Sequence, residues 1–296
     1  MGDLIIVVPQ TLAALTVSRG TGAENLLTPD PGEVWADEES FDPATITIDL
    51  GEVRSIDTLF LGHCYPLPLG TTWSISGGVA SAAEQVLQAH ATMRVVDTAT
   101  RRPGRSHALW HGAVAEVRYL SIEIDQAAGF DPVAIGSLIV GRAFSPTLGR
   151  EWGSGRGVAD TGRATGNRSG GFAIEPGVRK GKYSWPFGDL SDAEADELYE
   201  IQLEVGETRP LLVIEDPDRT VGQVHRIHYA RFSALKEYKR RNPAQTRWEF
   251  EIEEWGATGN LPYPIGVPLI EFEGSTQSGV LGFDGSEQSG IFVEEN

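Results

Sequence analysis

The chain predicts a mainly β protein carrying one α-helix. Three observations point there. Its 35 glycines and 17 prolines are about 18% of 296 residues, against roughly 12% in an average chain, and they are spread along it as punctuation. Between them lie many short apolar runs of strand length, several alternating with period two. Only the segment from Ser191 has both the start signal and the spacing of a convincing helix.

Taken in order, Leu4–Val8 is an apolar run stopped by Pro9. Thr45–Leu50 alternates, with Ile46, Ile48 and Leu50 on one face. Ser55–Leu61 is mostly apolar and reads as a strand buried on both faces. The corner between them is sensible, since Gly51 permits the turn into the next strand. Trp73 and Ile75 alternate, and the Ala-rich residues 80–92 fit either a second, short helix or a loop. Val117–Ile124 and Ile135–Phe144 close the first set. Ser191 and Glu194 form a capping box, Leu190 staples it from outside, and Ala195, Leu198, Ile201 and Val205 recur at helical spacing up to Gly206. Pro210–Ile214, Arg226–Leu235 and Thr246–Trp255 follow as strands. The last two are predicted to pair across the Arg241-Asn242-Pro243 turn.

Two segments depart from this pattern. Gly149–Gly181 is crowded with glycine and interspersed with Arg and Lys, which suggests a connector or an arm that orders against a partner. Ala257–Asn296 has six acidic residues and neither Lys nor Arg. Within it Phe272-Glu-Gly-Ser-Thr-Gln-Ser-Gly-Val280 recurs as Phe283-Asp-Gly-Ser-Glu-Gln-Ser-Gly-Ile291. Two copies are too few for a solenoid. Phe272, Val280, Phe283 and Ile291 are the candidate assembly contacts, laid by an extended arm on a neighbour. Ordering a segment of either kind costs about 1–2 kcal/mol per residue. Both are therefore expected to order only in an assembly.

Charge and composition exclude several functions. A net charge of −18 repels phosphate backbones and anionic lipid, so neither nucleic-acid binding nor membrane insertion is expected. The Met1-Gly2-Asp3 start lacks the cationic region of a secretory leader, so synthesis and folding in a cytoplasm are expected. The one cysteine, Cys64, excludes an internal disulfide and a Cys-rich metal site.

No catalytic constellation emerges, and the chain is expected not to be an enzyme. His63 and Cys64 are adjacent, and adjacent strand residues point to opposite faces, so Cys64 reads as a buried structural thiol. His225 and His228, three apart in a strand pattern, also diverge, and no third ligand accompanies them; no metal or cofactor is expected. Asp216-Pro217-Asp218 reads as a turn. Lys236, Lys239, Arg240 and Arg241 read as a solvated hairpin end or a contact with an acidic neighbour.

Residues 23–144 do resemble a known family. Asn25-Leu-Leu-Thr-Pro-Asp30-Pro-Gly-Glu-Val-Trp35 is followed by Thr45-Ile-Thr-Ile-Asp49-Leu50-Gly51 and Ile56-Asp-Thr-Leu-Phe-Leu61-Gly62-His63. Val117-Arg-Tyr119-Leu-Ser-Ile-Glu-Ile124 and Ile135-Gly-Ser-Leu-Ile-Val-Gly-Arg142 come later. This order resembles a discoidin-type, galactose-binding-like jelly roll. The opening also resembles tail proteins of long-tailed bacteriophages. Residues 183–255, with Tyr183-Ser-Trp185 before the helix and an Asp-Pro turn after it, are similar to the β-sandwich module of distal-tail and baseplate proteins.

The resemblance implies a galactose-binding-like jelly roll over 1–145, a glycine-rich connector over 146–182, a distal-tail-like β-sandwich with helix 191–205 over 183–256, and an acidic arm over 257–296. It implies a structural protein of a phage tail tip or baseplate, made in the host cytoplasm and carried in the virion. The partners would be further copies of itself, forming a ring around the tail axis, and other tail-tip and tail-tube proteins. A cell-surface glycan is the further partner it allows, with Asn25, Trp35, His63 and Tyr65 as candidate contacts. Two other readings stay open: a carbohydrate-binding module for a host glycan, and a glycan-active enzyme with an attached binding domain.

Overall fold

A computed structural model describes residues 4–38, 42–64, 71–93, 106–126, 132–219, 223–242 and 244–256. Tyr65 and the whole segment 257–296, with Phe272, Val280, Phe283 and Ile291, lie outside the described residues.

The chain is mainly β. Its first half carries β1 (Leu4–Val7), β2 (Ala14–Val17), a 3-10 turn (Ala23–Leu27), β3 (Trp35–Ala36), β4 (Ala44–Cys64), β5 (Thr72–Gly78), β6 (Gln85–Thr92), β7 (Ser106–Asp125), β8 (Ala134–Ile135), β9 (Ser137–Gly141) and β10 (Ala143–Phe144). Two long strands, β4 and β7, pair antiparallel from Ala44–Ile124 to Cys64–Ser106. Their register shifts between Asp49 and Arg54. There Gly51 takes φ +82°, in the left-handed region, and donates its N–H to Asp49 Oδ1 at 2.7 Å. Before this corner β4 is flanked by β2 and β7, with β5 and β6 beyond; after it, by β7 and β9.

Alternation along β4 decides what each face meets. Ile46, Ile48, Leu59 and Leu61 share a core with Trp73, Ile122, Leu138 and Trp35. Phe60 points the other way, with Leu109 and Ile139, into a second cluster against Ile5, Val7, Leu212, Ile214, Ile227 and Tyr229. A strand apolar on both faces is thus covered on both faces, the second time by the carboxy-terminal half.

That half carries β11 (Gly155–Asp160), β12 (Arg163–Gly166), β13 (Phe172–Glu175), β14 (Arg179–Leu190), α1 (Asp192–Val205), β15 (Leu211–Glu215), β16 (Ile227–Ala234), β17 (Lys239–Asn242) and β18 (Gln245–Glu254). Its antiparallel sheet has the order β10-β1-β15-β16-β18-β14-β11, and β17 closes a tight hairpin onto β18. One face packs on the first half. The other is covered by α1, whose Ala195, Leu198, Ile201 and Val205 meet Trp185, Phe187, Phe250, Leu4 and Ile6. Both halves of the Ser191–Glu194 capping box are formed.

Three expectations need correction. Residues 80–92 hold no helix. Glu84 turns its carboxylate onto the N–H groups of Val79, Ala80 and Ser81, and the chain leaves as β6, paired with β5. Leu4–Val7 does not lie in the sheet of the amino-terminal half; it inserts between β10 and β15, because its alternate residues fill two different cores. Finally, Gly149–Gly181 is not a bare connector. Glycines do not prevent backbone pairing, and β11 zips onto β14 from Gly155–Ser184 to Asp160–Arg179 as the sheet edge, with hairpin β12–β13 beyond it.

Candidate functional site

Of the residues proposed for glycan contact, Asn25, Trp35 and His63 are described, and none of them stands free on an open surface. Trp35 is fully buried and donates its indole N–H to the Arg19 carbonyl at 3.2 Å. Asn25 spends its amide on the Val34 carbonyl at 2.7 Å. Together they tie the 3-10 turn to the core. His63 sits at the junction of the two halves, against Gly136, the neighbour of the Ile135 that pairs with Trp35. It takes φ +54°, holds Ser137 Oγ through Nδ1 at 3.0 Å and packs edge-on against His107 and Tyr229. Cys64 is buried, and burial pushes its thiol well above the ordinary range, so it is no nucleophile. His228 is buried while its former partner in spacing, His225, is exposed.

An open cleft of about 350 Å³ lies along the same junction, between Val8–Leu12, Leu26–Pro29 and Thr208–Pro210. Its one aromatic is Tyr229, whose hydroxyl is already donated to the Pro29 carbonyl at 2.8 Å.

Charge is concentrated instead under the root of the Gly-rich arm. Glu215 ends the apolar strand β15 and is buried. Arg150, Arg156 (2.7 Å) and His228 (3.1 Å) all donate to its carboxylate. Burial pushes that carboxyl up; the hydrogen bonds from His228 and Arg150 and the charge of Arg156 outweigh it and hold it down at about 2. Burial lowers the His228 pKa despite Glu215, so the ring is neutral and donates through Nε2. A second buried carboxylate, Glu254, accepts the Gly181 N–H (2.8 Å) and the Tyr183 hydroxyl (3.1 Å) on the returning strand. These groups clamp the arm; their oxygens are engaged by it.

Sequence reading missed both carboxylates, although a signal existed. Trp248, Phe250 and Ile252 alternate inward, and the same parity carries Glu254 inward. Glu215 follows four consecutive apolar residues without a polar break.

Beyond the clamp the arm changes character. Every residue of β12 and β13 is exposed, Phe172 to 70% and Ile174 to 65%. The turn at its tip is nonetheless well built: Asn167 exchanges backbone bonds with Gly171 and Gly170 and accepts the Gly171 N–H on its side chain. Trp152, at the root, is 90% exposed. A second group of exposed apolar side chains lies at α1, where Tyr199 meets the Tyr238 ring and Leu203 follows one turn later; Leu235, three residues before Tyr238, is exposed as well.

No protein-family model and no curated protein matches the chain. Among solved structures, a chitosan-binding module from a Paenibacillus sp. IK-5 chitosanase/glucanase is similar over 45% of this chain and 98% of its own, at 16% identity and a TM-score of 0.32. A carbohydrate-binding module of AlyQ, solved with 4,5-unsaturated mannuronic acid, covers 45% and 97% at 15% identity and a TM-score of 0.34. A pectin-binding module covers 45% and 91% at 14% identity and a TM-score of 0.34. Likeness of this degree says nothing about what this chain binds.

Proposed function

We propose that this chain is a structural subunit of a bacteriophage tail tip or baseplate, present in the virion as an oligomer around the tail axis. One observation carries the assembly reading: a well-built hairpin holds Phe172 and Ile174 out in water. An isolated two-stranded hairpin is marginal by itself. Apolar surface left in water forgoes about 25 cal/mol per Å², which a partner surface would recover. The clamp of two buried carboxylates supports the same reading, since it fixes the direction in which the hairpin projects. The resemblance of residues 23–144 and 183–255 to phage tail proteins supplies the kind of particle.

The test is the mass of the purified full chain by light scattering. A defined multiple of 32.0 kDa, with closed rings in electron micrographs, is expected. A mass of 32.0 kDa at every concentration would overturn the proposal.

A second reading, glycan recognition by the amino-terminal sandwich, is favoured by the discoidin-type resemblance of residues 23–144. Trp35 is fully buried and Asn25 already donates its side-chain N–H to the Val34 carbonyl, so such a site would have to draw on other residues beside them. Binding of the full chain on a bacterial glycan array supports this reading; a blank array ends it.

A further inference from the structure

We infer that hairpin β12–β13 of one copy docks on the exposed face of α1 in the next copy, a head-to-tail contact; this rests on the assembly reading above. The hairpin is shaped as a knob. Phe172 pairs across with Gly166 and Ile174 with Ala164, so the two large side chains stand on a face whose other members are small. Arg168 at the tip has no carboxylate partner among the described residues.

The face of α1 is the matching socket. Tyr199 and Leu203 are one turn apart, and the Tyr238 ring meets Tyr199 edge-on at 6.3 Å. Leu235, three residues before Tyr238, is exposed too. The stretch that carries it is pinned by Gln202 and Trp248, which both donate to the Lys236 carbonyl, at 3.4 and 2.9 Å. Tyrosine-rich patches of this kind are where binding energy concentrates. On the helix side of the patch Asp196, Glu197, Glu200 and Glu204 carry no cation of α1 beside them, opposite in sign to the hairpin tip, while Lys236, Lys239 and Arg240 border the patch on its other side and Arg240 is already paired with Asp192 at 3.3 Å.

Topology excludes docking within one molecule. The hairpin leaves the sheet beside Arg179, at the start of β14, and α1 begins after Leu190, at its end. Twelve extended residues separate the two by about 36–40 Å. The antiparallel order of β14, β18 and β16 also puts Leu235 at the helix end of the sheet. Knob and socket therefore sit at opposite ends of each molecule. Such heterologous contacts generate rings or open stacks.

The test uses three full-length chains: wild type, F172D/I174D, and Y199E/L203E. All four positions are exposed, so circular dichroism should match throughout. Light scattering is expected to show each variant associating at least tenfold more weakly than wild type. Mixing the two variants should restore a 1:1 pair, because one retains the socket and the other the knob. A wild-type oligomer that survives both substitutions overturns this contact and leaves the assembly reading standing. Variants that each dissociate but fail to pair when mixed also overturn it. A wild type that never associates overturns the contact and the assembly reading together.

Discussion

The root and the tip of the Gly-rich arm are drawn from similar residues and are held in opposite ways. At the root, Arg150 and Arg156 end on the buried Glu215, and Gly181 and Tyr183 on the buried Glu254. At the tip, Arg163 and Arg168 have no carboxylate partner among the described residues, and Phe172 and Ile174 face water. The difference comes from what lies beneath. Two carboxylates of the sheet reach the root, and nothing described reaches the tip. A segment whose composition looks uniform is thus a rigid mount bearing a bare end.

The largest blow to that contrast should come from Glu215→Ala, which leaves the largely buried Arg150 and the buried His228 N–H without their carboxylate and frees the half-exposed Arg156. A loss of about 3 kcal/mol is expected, or roughly 6–12 °C in Tm, read by thermal melting. An unchanged Tm would erase the distinction between root and tip. Acid should act on the same clamp. The folded-state pKa of Glu215 is depressed to about 2 from 4.5, so its contribution is complete above pH 4.5 and is lost as pH falls through about 2. His228 is depressed below 6.5, so the unfolded chain gains a proton that the folded one refuses, and stability also falls below pH 6.5. Urea melts from pH 7 to 3 should show both declines, and Glu215→Gln should flatten the lower one.

Gly181→Ala is expected to cost less, about 1–3 kcal/mol by urea melts. Its new Cβ would stand 2.5 Å from Tyr183 Oη and 2.7 Å from Glu254 Cδ. Brief trypsin treatment sharpens the comparison without a mutation: cleavage after Arg163 and Arg168 should precede cleavage after Arg150 and Arg156, as mass spectrometry of the fragments would report. The smallest effect is expected from F172D/I174D, which should shift the unfolding free energy of the dissociated chain, measured at dilutions where wild type is monomeric, by no more than about 0.5 kcal/mol, since both side chains are largely exposed on their own molecule.

Local signals carried much of the fold in the sequence. The Ser191–Glu194 box and the spacing through Val205 mark α1 to the residue, and the Asp49-Leu50-Gly51 corner of β4 follows from one glycine. Both depend on neighbours within a few positions. What stayed hidden depends on partners far along the chain. Period two could carry Glu254 inward, but nothing local says that Gly181 waits for it. Glycine content marks Gly149–Gly181 as loop, yet β11 needs only its backbone to join β14. Trp35 stood as a candidate contact beside the commoner role of an aromatic packed at a sheet end, and only the Arg19 carbonyl, sixteen positions earlier, decides between the two.

The placement of β1 has a consequence for the order of events during synthesis. Leu4–Val7 is made some two hundred residues before its main neighbour, Leu211–Glu215. At about 5–20 residues per second the delay is roughly 10–40 s. Throughout it the backbone edge of Leu4–Val7 that β15 will cover is unpaired, and Ile5 and Val7 have only the Phe60, Leu109 and Ile139 side of their cluster to lie against. Crowded translation of many copies is where this protein is most exposed to premature aggregation.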